Sequence, residues 1–302
     1  MNYRLLRYFG GIVFFVFVVS TVASGQVHHD LKVLLQPDSH RIEVVDMITL
    51  PKKVDAWPII FALHKGLNPR VLSKDMVLKK TGVEEGLEVF EITLPLGISQ
   101  FTIAYEGKIF HPIDENREEY ARGFSATSGI ISSQGVFLAG SSIWYPYFYP
   151  YFTDRLVTFN MEIKLPVGWQ SVSQGARTEH RAGIDGQLDR WVIDKPQEEI
   201  YLIAAKFTEY SQFAGNVSAM VFLRNPDNEL AKKYLDATAQ YLEMYSKLLG
   251  VYPYDKFALV ENFWETGYGM PSFTLLGSSI IRFPFILNSS FPHEILHNWW
   301  GN

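Results

Sequence analysis

The sequence contains no cysteine among its 302 residues. Disulfide bonds, thiolate metal ligands and cysteine nucleophiles are therefore excluded together, and so is a lipid anchor on an amino-terminal cysteine. An excess of positive charge is lacking as well, because 27 basic residues stand against 32 acidic ones and the formal net charge is −5. A chain of this charge has little with which to neutralise a phosphate backbone, so we expect no nucleic-acid partner.

Low-complexity segments and repeats of fixed period are also missing from the sequence. What is present is 47% hydrophobic and 20% charged residues, the composition of an ordinary globular protein, and the length predicts about two domains. Aromatic residues reach 15% of the chain. Their rings must therefore fill much of the core, since large aromatic side chains are stable mainly when buried.

Residues 1–25 have the pattern of an export signal. Basic residues precede an apolar run over 8–22, and the small residues Ala23 and Gly25 then suit cleavage before Gln26. The run is shorter than the ~20 residues that a membrane-spanning helix needs. We predict an exported protein, periplasmic or secreted, with no stable membrane insertion after cleavage. An uncleaved anchor that holds the same domains at the outer face is the alternative.

A period-two alternation of apolar and polar residues dominates residues 26–223 and predicts an antiparallel β-sandwich or curved sheet. The alternating or apolar runs are Leu31–Leu35, Ile42–Leu50, Trp57–Leu63, Leu87–Leu94, Phe101–Tyr105, Phe159–Leu165 and Ile200–Phe207. Several of these runs are bounded by Pro and Gly, which mark turns. We therefore assign residues 26–223 to a β-rich amino-terminal domain.

The aromatic stretch Trp144–Phe152 allows two interpretations. Its rings can form a stacking wall for a sugar or a peptide side chain, or they can pack into the core around bends set by Pro146 and Pro150. We favour packing in the core, because rings bury large apolar surfaces.

The periodicity changes near residue 224. Asn225 suits an N-cap, Pro226 suits a first helical turn and Gly250 suits the far end, so the pattern predicts a long amphipathic helix over 226–249. This switch sets the predicted boundary between the β-rich domain and a second domain over 224–302.

The last twelve residues carry the chemistry. His293 and His297 are four residues apart, so on a helix both imidazoles project from one face and can bind one zinc ion. Glu294 is placed to accept a proton from a water that zinc activates for attack on a carbonyl. Pro292 suits the first helical position, and Ser289 or Ser290 suits the cap. The predicted ligands are imidazole and carboxylate groups without sulfur, which suit zinc, although cobalt and manganese can bind the same ligands.

The segment 293–302 resembles the zinc signature of the alanyl aminopeptidase (aminopeptidase N-like) family of gluzincin metallopeptidases, His-Glu-x-x-His-x-Trp-(Phe or Trp)-Gly-Asn. All seven specified positions match. The resemblance implies a β-rich saddle domain followed by the start of a thermolysin-like, helix-rich catalytic domain, and a peptide or protein substrate cleaved with zinc. It further implies that a strand over Phe257–Val260 leads into a substrate-binding loop that contains Gly267, Gly269 and Met270.

Two departures from the family pattern matter. Pro271 and Ser272 stand where the family loop has the Glu and Asn of Gly-x-Met-Glu-Asn, so the carboxylate that holds a substrate's amino end is absent there. Glu265 or Glu261 is a candidate replacement, and solvent exposure of both is the alternative. Cleavage at chain ends or internally is therefore left open.

The family's third zinc ligand, a glutamate about eighteen residues beyond the second histidine, would fall after Asn302. We therefore expect the sequence to be the front portion of a longer enzyme, with weak zinc binding and little turnover by itself. The alternative is a catalytically inactive exported binding protein that retains a relic of the zinc helix.

Overall fold

The structure is a computed structural model that describes residues 26–51, 58–84, 86–115, 125–148 and 155–301. The predicted signal segment 1–25, Trp57 and residues 149–152 of the aromatic stretch lie outside the described residues. Strands far outnumber helices, and they form several sheets, which confirms the mostly-β class with a mixed α+β part. None of the helices in these ranges is long and apolar enough to cross a bilayer.

The described residues form twenty-two strands, numbered in chain order. The first twelve are β1 (Val27–Gln36), β2 (Arg41–Thr49), β3 (Ile59–His64), β4 (Arg70–Val71), β5 (Val77–Glu84), β6 (Leu87–Thr93), β7 (Gln100–Lys108), β8 (Asp114–Glu115), β9 (Ser125–Ala126), β10 (Ile130–Ser132), β11 (Gly135–Leu138) and β12 (Tyr147–Phe148). The others are β13 (Val157–Leu165), β14 (Gln170–Val172), β15 (Ala176–Gly183), β16 (Gly186–Gln197), β17 (Leu202–Ala205), β18 (Thr208–Ala214), β19 (Val217–Leu223), β20 (Lys256–Asn262), β21 (Gly267–Met270) and β22 (Phe273–Gly277). The two α-helices are α1 (Asn228–Leu249) and α2 (Ser290–Leu296).

The largest sheet has seven strands in the order β15-β16-β13-β1-β2-β7-β4. Its pairs are antiparallel except β1 with β13, which run parallel. The predicted alternation is confirmed in β1 and β2, where every second side chain is buried. Val33 and Val44 lie opposite each other in the register, and both are buried. Alternation therefore fixes which face of this sheet meets the core.

The β-rich part also contains two four-stranded sheets, in the orders β10-β11-β17-β14 and β12-β3-β6-β5, and a two-stranded antiparallel sheet of β8 and β9. The aromatic stretch supplies part of their core. Trp144 and Tyr145 are buried, and the Trp144 indole donates a hydrogen bond to the carbonyl of Ile200 at 3.1 Å. For these two residues the packing interpretation is confirmed, whereas the end of the stretch lies outside the described residues.

A five-stranded sheet follows in the order β18-β19-β20-β22-β21. Strands β19, β20 and β22 run parallel, while β18 and β21 pair antiparallel at the two edges. The predicted boundary near residue 224 falls inside this sheet, between β19 and β20. The domain division itself stays a prediction.

The two faces of this five-stranded sheet meet different partners. In β19 the side chains of Ala219, Val221 and Leu223 pack on the helices, while Met220 and Phe222 join the core of the β-rich part. Burial on both faces explains why β20 is buried along its whole length. The sheet thereby connects the β-rich core to the two helices.

The last residue of helix α1 is Leu249 and Gly250 is its C-cap, as predicted. The start of the helix differs from the prediction. Asp227, not Asn225, is the N-cap, and its carboxylate accepts a hydrogen bond from the amide of Leu230 at 3.0 Å. Pro226 therefore precedes the cap instead of occupying the first turn. Asp227 is the N-cap because its carboxylate accepts a hydrogen bond from an amide that the helix leaves unpaired.

Helix α2 begins at Ser290, two residues before Pro292, so the prediction of Pro292 at the first helical position was wrong. Ser289 is the N-cap residue, but its hydroxyl donates to the carbonyl of Phe285 and caps no amide of α2. The helix is held instead by burial of Phe291 and Ile295 against α1 and the sheet.

Candidate active site

The two motif histidines lie together at the end of α2. His293 is inside the helix and His297 is the first residue after it. Their Nε2 atoms are 3.0 Å apart, and the ring planes meet at 82°. The helical spacing therefore brings both imidazoles to one point, as expected for residues four apart on a helix.

The tautomer of His297 is set by its other ring nitrogen. Nδ1 lies 3.2 Å from the carbonyl of Trp300, an acceptor, so Nδ1 carries the proton and Nε2 presents a lone pair. Gly301 has a φ of +95°, and a Cβ atom there would stand 3.0 Å from Nδ1. Glycine thus lets the turn close tightly on the ring and fix its orientation.

This pair fits a metal ion. Two Nε2 atoms that both point at one position repel each other unless a proton or a cation lies between them. Zinc binds imidazole nitrogen at about 2.0–2.1 Å, which puts two nitrogens of a tetrahedral site about 3.3 Å apart. The observed separation is close to that value. His293 and His297 are therefore suited to hold zinc.

Glu294 lies directly beside strand β21. A Cβ atom placed at Gly269 would overlap with Oε2 of Glu294 and lie 3.6 Å from Cδ2 of His297. Only glycine lets the strand backbone approach the carboxylate so closely. Burial raises the pKa of the Glu294 carboxyl, while the two histidines act to lower it. The carboxylate is thus held between the histidine pair and the backbone of β21.

The segment predicted as a substrate-binding loop forms a strand. Gly267–Met270 pairs antiparallel with β22 and is the edge strand of its sheet, with no strand paired on its other side in the described part of the chain. Gly267 is exposed, whereas the side chain of Met270 is buried in the core. Any contact of Met270 with a ligand would therefore involve its backbone. The assignment of these residues to substrate binding stays a prediction.

Asn298 was not identified from the sequence, although it lies within the zinc signature. Its buried amide donates to the carbonyls of Glu294 and Ile295, each at 3.1 Å, and so satisfies the last turn of α2. Its Oδ1 accepts a hydrogen bond from the amide of Ser272 at 2.6 Å. Asn298 therefore ties the histidine helix to the bend that follows β21.

Ser272 continues this connection into the β-rich part. Its φ is +68°, and its hydroxyl accepts hydrogen bonds from the amide of Gly175 at 3.1 Å and from the buried Nζ of Lys256 at 2.7 Å. Burial lowers the pKa of Lys256 well below its usual value. In the sequence, Ser272 could be noticed only because it departs from the family loop pattern. That departure did not reveal which residues Ser272 contacts.

Glu261 and Glu265 are not solvent-facing acids. Glu261 is 1% exposed and accepts hydrogen bonds from the amide of Arg224, the Ser278 hydroxyl and the Arg282 guanidinium, at 2.7–2.8 Å. These contacts occupy both of its oxygens. Glu265 accepts a hydrogen bond from the amide of Ser279 through Oε1. Of the two predicted replacements for the missing loop carboxylate, Glu265 alone retains an oxygen without a partner in the part of the chain described.

No group of three or more His, Asp or Glu side chains suited to a metal occurs within the described ranges. The histidine pair thus provides two ligands, one fewer than the three protein ligands usual at catalytic zinc.

No protein-family model and no curated protein sequence matches this chain. Solved structures do match it. Native yeast LTA4 hydrolase is similar with a TM-score of 0.65 and 13% identity over 91% of this chain and 44% of that one. An M1 zinc metallopeptidase from Deinococcus radiodurans is similar with a TM-score of 0.59 and 14% identity over 91% of this chain and 64% of that one.

The chain thus spans about half the length of the hydrolase and less than two thirds of the metallopeptidase. At these identities the likeness establishes the fold. This chain shares the fold of the corresponding part of these M1 zinc peptidase and LTA4 hydrolase structures.

Proposed function

We propose that this protein is a zinc-dependent metallopeptidase of aminopeptidase type that hydrolyses peptide bonds. The observation that carries the proposal is the pair of imidazoles with Nε2 atoms 3.0 Å apart, with Glu294 against the backbone of Gly269. A structure with this fold is a zinc metallopeptidase bound to a Tyr-Ser-Ala substrate, which supports a peptide as the substrate.

In this proposal His293 and His297 hold the metal through their Nε2 atoms. A zinc ion supplies Lewis acidity that polarises a carbonyl and lowers the pKa of water. Glu294 accepts a proton from the attacking water and returns it to the leaving amine, which is the usual role of a positioned carboxylate. Its partly buried setting keeps the carboxylate poorly hydrated and therefore a stronger base.

The free edge of β21 is the proposed docking line for the peptide backbone. A substrate strand paired there would gain main-chain hydrogen bonds and pass Glu294 at Gly269. Gly267 on the same strand has no side chain of its own that could obstruct this edge. Export, periplasmic or secreted, is part of the proposal and rests on residues 1–25.

The test uses the protein at its natural length, because the resemblance implies a third ligand in addition to the two histidines. Peptide hydrolysis should disappear with a zinc chelator and return when zinc is added back. Activity that survives complete removal of the metal would overturn the proposal. Absence of hydrolysis in zinc-loaded protein would favour the inactive exported binding protein instead.

A further inference from the structure

A buried lysine contacts the bend that follows β21. Lys256 is the first residue of β20 and is only 2% exposed. Its Nζ donates hydrogen bonds to the carbonyl of Ser272 at 3.1 Å and to the hydroxyl of the same residue at 2.7 Å. No carboxylate forms an ion pair with this amine in the part of the chain that the structure describes. Its hydrogen bonds are therefore made with a single residue.

The surroundings of Lys256 favour the uncharged amine. Burial, and after it the charge of Arg177, lowers the pKa of Lys256 well below its usual value, because a buried cation without an opposite charge is poorly solvated. An uncharged amine has two N–H groups, and the two oxygens of Ser272 accept both. The rings of Trp191 and Phe273 also lie near this amine, each with its centroid 5.2 Å from Nζ. The hydrogen bonds of Lys256 thus serve to hold Ser272.

Ser272 has a backbone conformation that needs support. Its φ of +68° lies in the left-handed region, where the Cβ atom of a residue other than glycine crowds the backbone. Ser272 is also fully buried, so water cannot replace a lost hydrogen-bond donor. The amides of Gly175 and Ala258 donate to its hydroxyl and its carbonyl respectively, each at 3.1 Å. Among these donors Lys256 alone reaches both oxygens, so it is the contact best placed to fix the bend.

The bend is connected to the end of α2 through Asn298. The backbone amide of Ser272 donates to Oδ1 of Asn298 at 2.6 Å. The side-chain amide of Asn298 in turn donates to the carbonyls of Glu294 and Ile295, each at 3.1 Å. Asn298 also directly follows His297 in the chain. A displacement of Ser272 therefore acts on the turn that presents Glu294 and His297.

We propose that Lys256 is a positioning residue for the candidate active site. It holds Ser272 in the left-handed conformation, and Ser272 in turn fixes the last turn of α2 through Asn298. The importance of Lys256 for catalysis rests on the proposed function, whereas its effect on α2 requires no metal. Because glycine adopts a positive φ without strain, the need for Lys256 should disappear when residue 272 is glycine.

The first experiment measures amide hydrogen exchange by NMR on the metal-free protein at its natural length. Lys256→Met keeps a side chain of similar length but has no N–H group to donate. Exchange at the amides of His297 and Asn298, which close the last turn of α2, should become at least tenfold faster, because this turn opens more often. Exchange along the buried face of α1 should stay the same. Lys233→Met, a matched change at an exposed position on α1, should alter neither region.

Variants at residue 272 test the route by which Lys256 acts. In the Ser272→Gly background, adding Lys256→Met should change exchange at His297 and Asn298 by less than twofold. Ser272→Ala and Ser272→Gly both lose the hydroxyl, but only alanine retains the strained φ. Ser272→Ala should therefore speed this exchange at least threefold more than Ser272→Gly. The comparison of these two variants tests the bend even if Lys256→Met protein does not fold.

Activity measurements then relate this contact to the proposed function. If the zinc-loaded parent protein hydrolyses peptides, Lys256→Met should lower kcat at least tenfold and leave KM within twofold. The reason is that Glu294 is displaced while the edge of β21 still binds the substrate. Hydrolysis should be the same in Ser272→Gly protein with and without Lys256→Met.

Unchanged exchange at His297 and Asn298 in Lys256→Met protein would overturn the inference. An equal rise along α1 would also overturn it, by showing a general stabilising role. The same holds if Ser272→Gly does not abolish the effect of Lys256→Met, if the alanine and glycine variants exchange alike, or if kcat is unaffected. A parent protein without hydrolysis would overturn the proposed function, and hydrogen exchange alone would then decide whether Lys256 fixes α2.

Discussion

Two histidine pairs in this molecule have nearly the same local geometry. In the β-rich part, Nε2 of His64 lies 2.8 Å from Nε2 of His111, with the ring planes at 75°. At the end of α2, the same atoms of His293 and His297 are 3.0 Å apart, with the planes at 82°. Ring geometry alone therefore does not distinguish a metal site from a structural contact.

The surroundings of the two pairs differ. His64 is 8% exposed, its Nδ1 is buried without a partner in the described part of the chain, and its burial together with the charge of His111 lowers its pKa to about 4. His293 is exposed, and His297 is oriented by the Trp300 carbonyl.

The two histidine pairs also differ in whether a carboxylate lies near them. Glu294 stands next to His293 in sequence and close to both rings, whereas no ion pair or carboxylate hydrogen bond involves His64 or His111 within the described ranges. A hydrolytic site needs a proton acceptor and an open approach in addition to metal ligands. The comparison thus favours the pair on α2 as the proposed metal site and a packing role for the pair in the β-rich part.

The largest expected effect is on catalysis. Glu294→Gln in the zinc-loaded protein at its natural length should lower kcat/KM for a peptide by about 10³-fold, because the proton acceptor is lost while the ligands remain. Zinc content, measured by atomic absorption, should stay the same. Glu243→Gln is the matched control and should keep full activity. Undiminished turnover by Glu294→Gln protein would assign the base elsewhere.

The next effect concerns zinc affinity. His297→Ala should weaken zinc binding on the order of 100-fold, since a ligand is removed, and equilibrium dialysis of the same natural-length protein measures it. His111→Ala breaks the pair of equal geometry and should leave zinc affinity unchanged. If His111→Ala weakened zinc binding and His297→Ala did not, the metal site would be assigned to the pair in the β-rich part instead.

The histidine pair in the β-rich part should make the free energy of unfolding depend on pH. Because the folded pKa of His64 is about 4 and the unfolded value is about 6.5, the unfolded chain binds the extra proton between these values. The free energy of unfolding therefore falls as pH is lowered from 7 to 5, by about 2 kcal/mol from this group. Urea titrations at both pH values should show a smaller fall in the free energy of unfolding for His64→Phe than for the parent protein. An equal fall in parent and variant would show that His64 titrates normally.

The smallest effect is steric. Gly269→Ala places a methyl group against Oε2 of Glu294 and should lower kcat/KM by about tenfold through displacement of the carboxylate. Gly82→Ala on β5, away from the candidate site, is the control, because its Cβ would meet only the Val89 side chain, at 3.6 Å. Equal rates for the two variants would show that the backbone of β21 does not set the position of Glu294.

Local patterns predicted much of this fold. Alternation located β1, β2, β6, β7 and β13, and the helical spacing located α1 and the histidine pair, because each pattern repeats with the period of its own element. The N-cap of α1 and the start of α2 were predicted wrongly. There the choice among neighbouring polar residues or prolines depended on contacts that lie outside the local pattern.

The candidate site was predictable in part for the same reason. His293, Glu294 and His297 lie within five consecutive residues, so helix geometry alone brings their side chains together. The contribution of Asn298 to that site was not predictable, because its partner Ser272 is far away in sequence and reaches it only through the bend after β21.

By itself the sequence determined the donor atoms: two imidazoles and a carboxylate on one helical turn, with no thiolate to compete for a metal. Tertiary structure decided which backbone meets them, since the approach of Gly269 to Glu294 exists only when β21 lies at the sheet edge. It also decided that Lys256, Ser272 and Asn298 are connected by hydrogen bonds. Spacing along a helix is fixed by bonded geometry, whereas the meeting of distant segments is fixed by which surfaces bury each other.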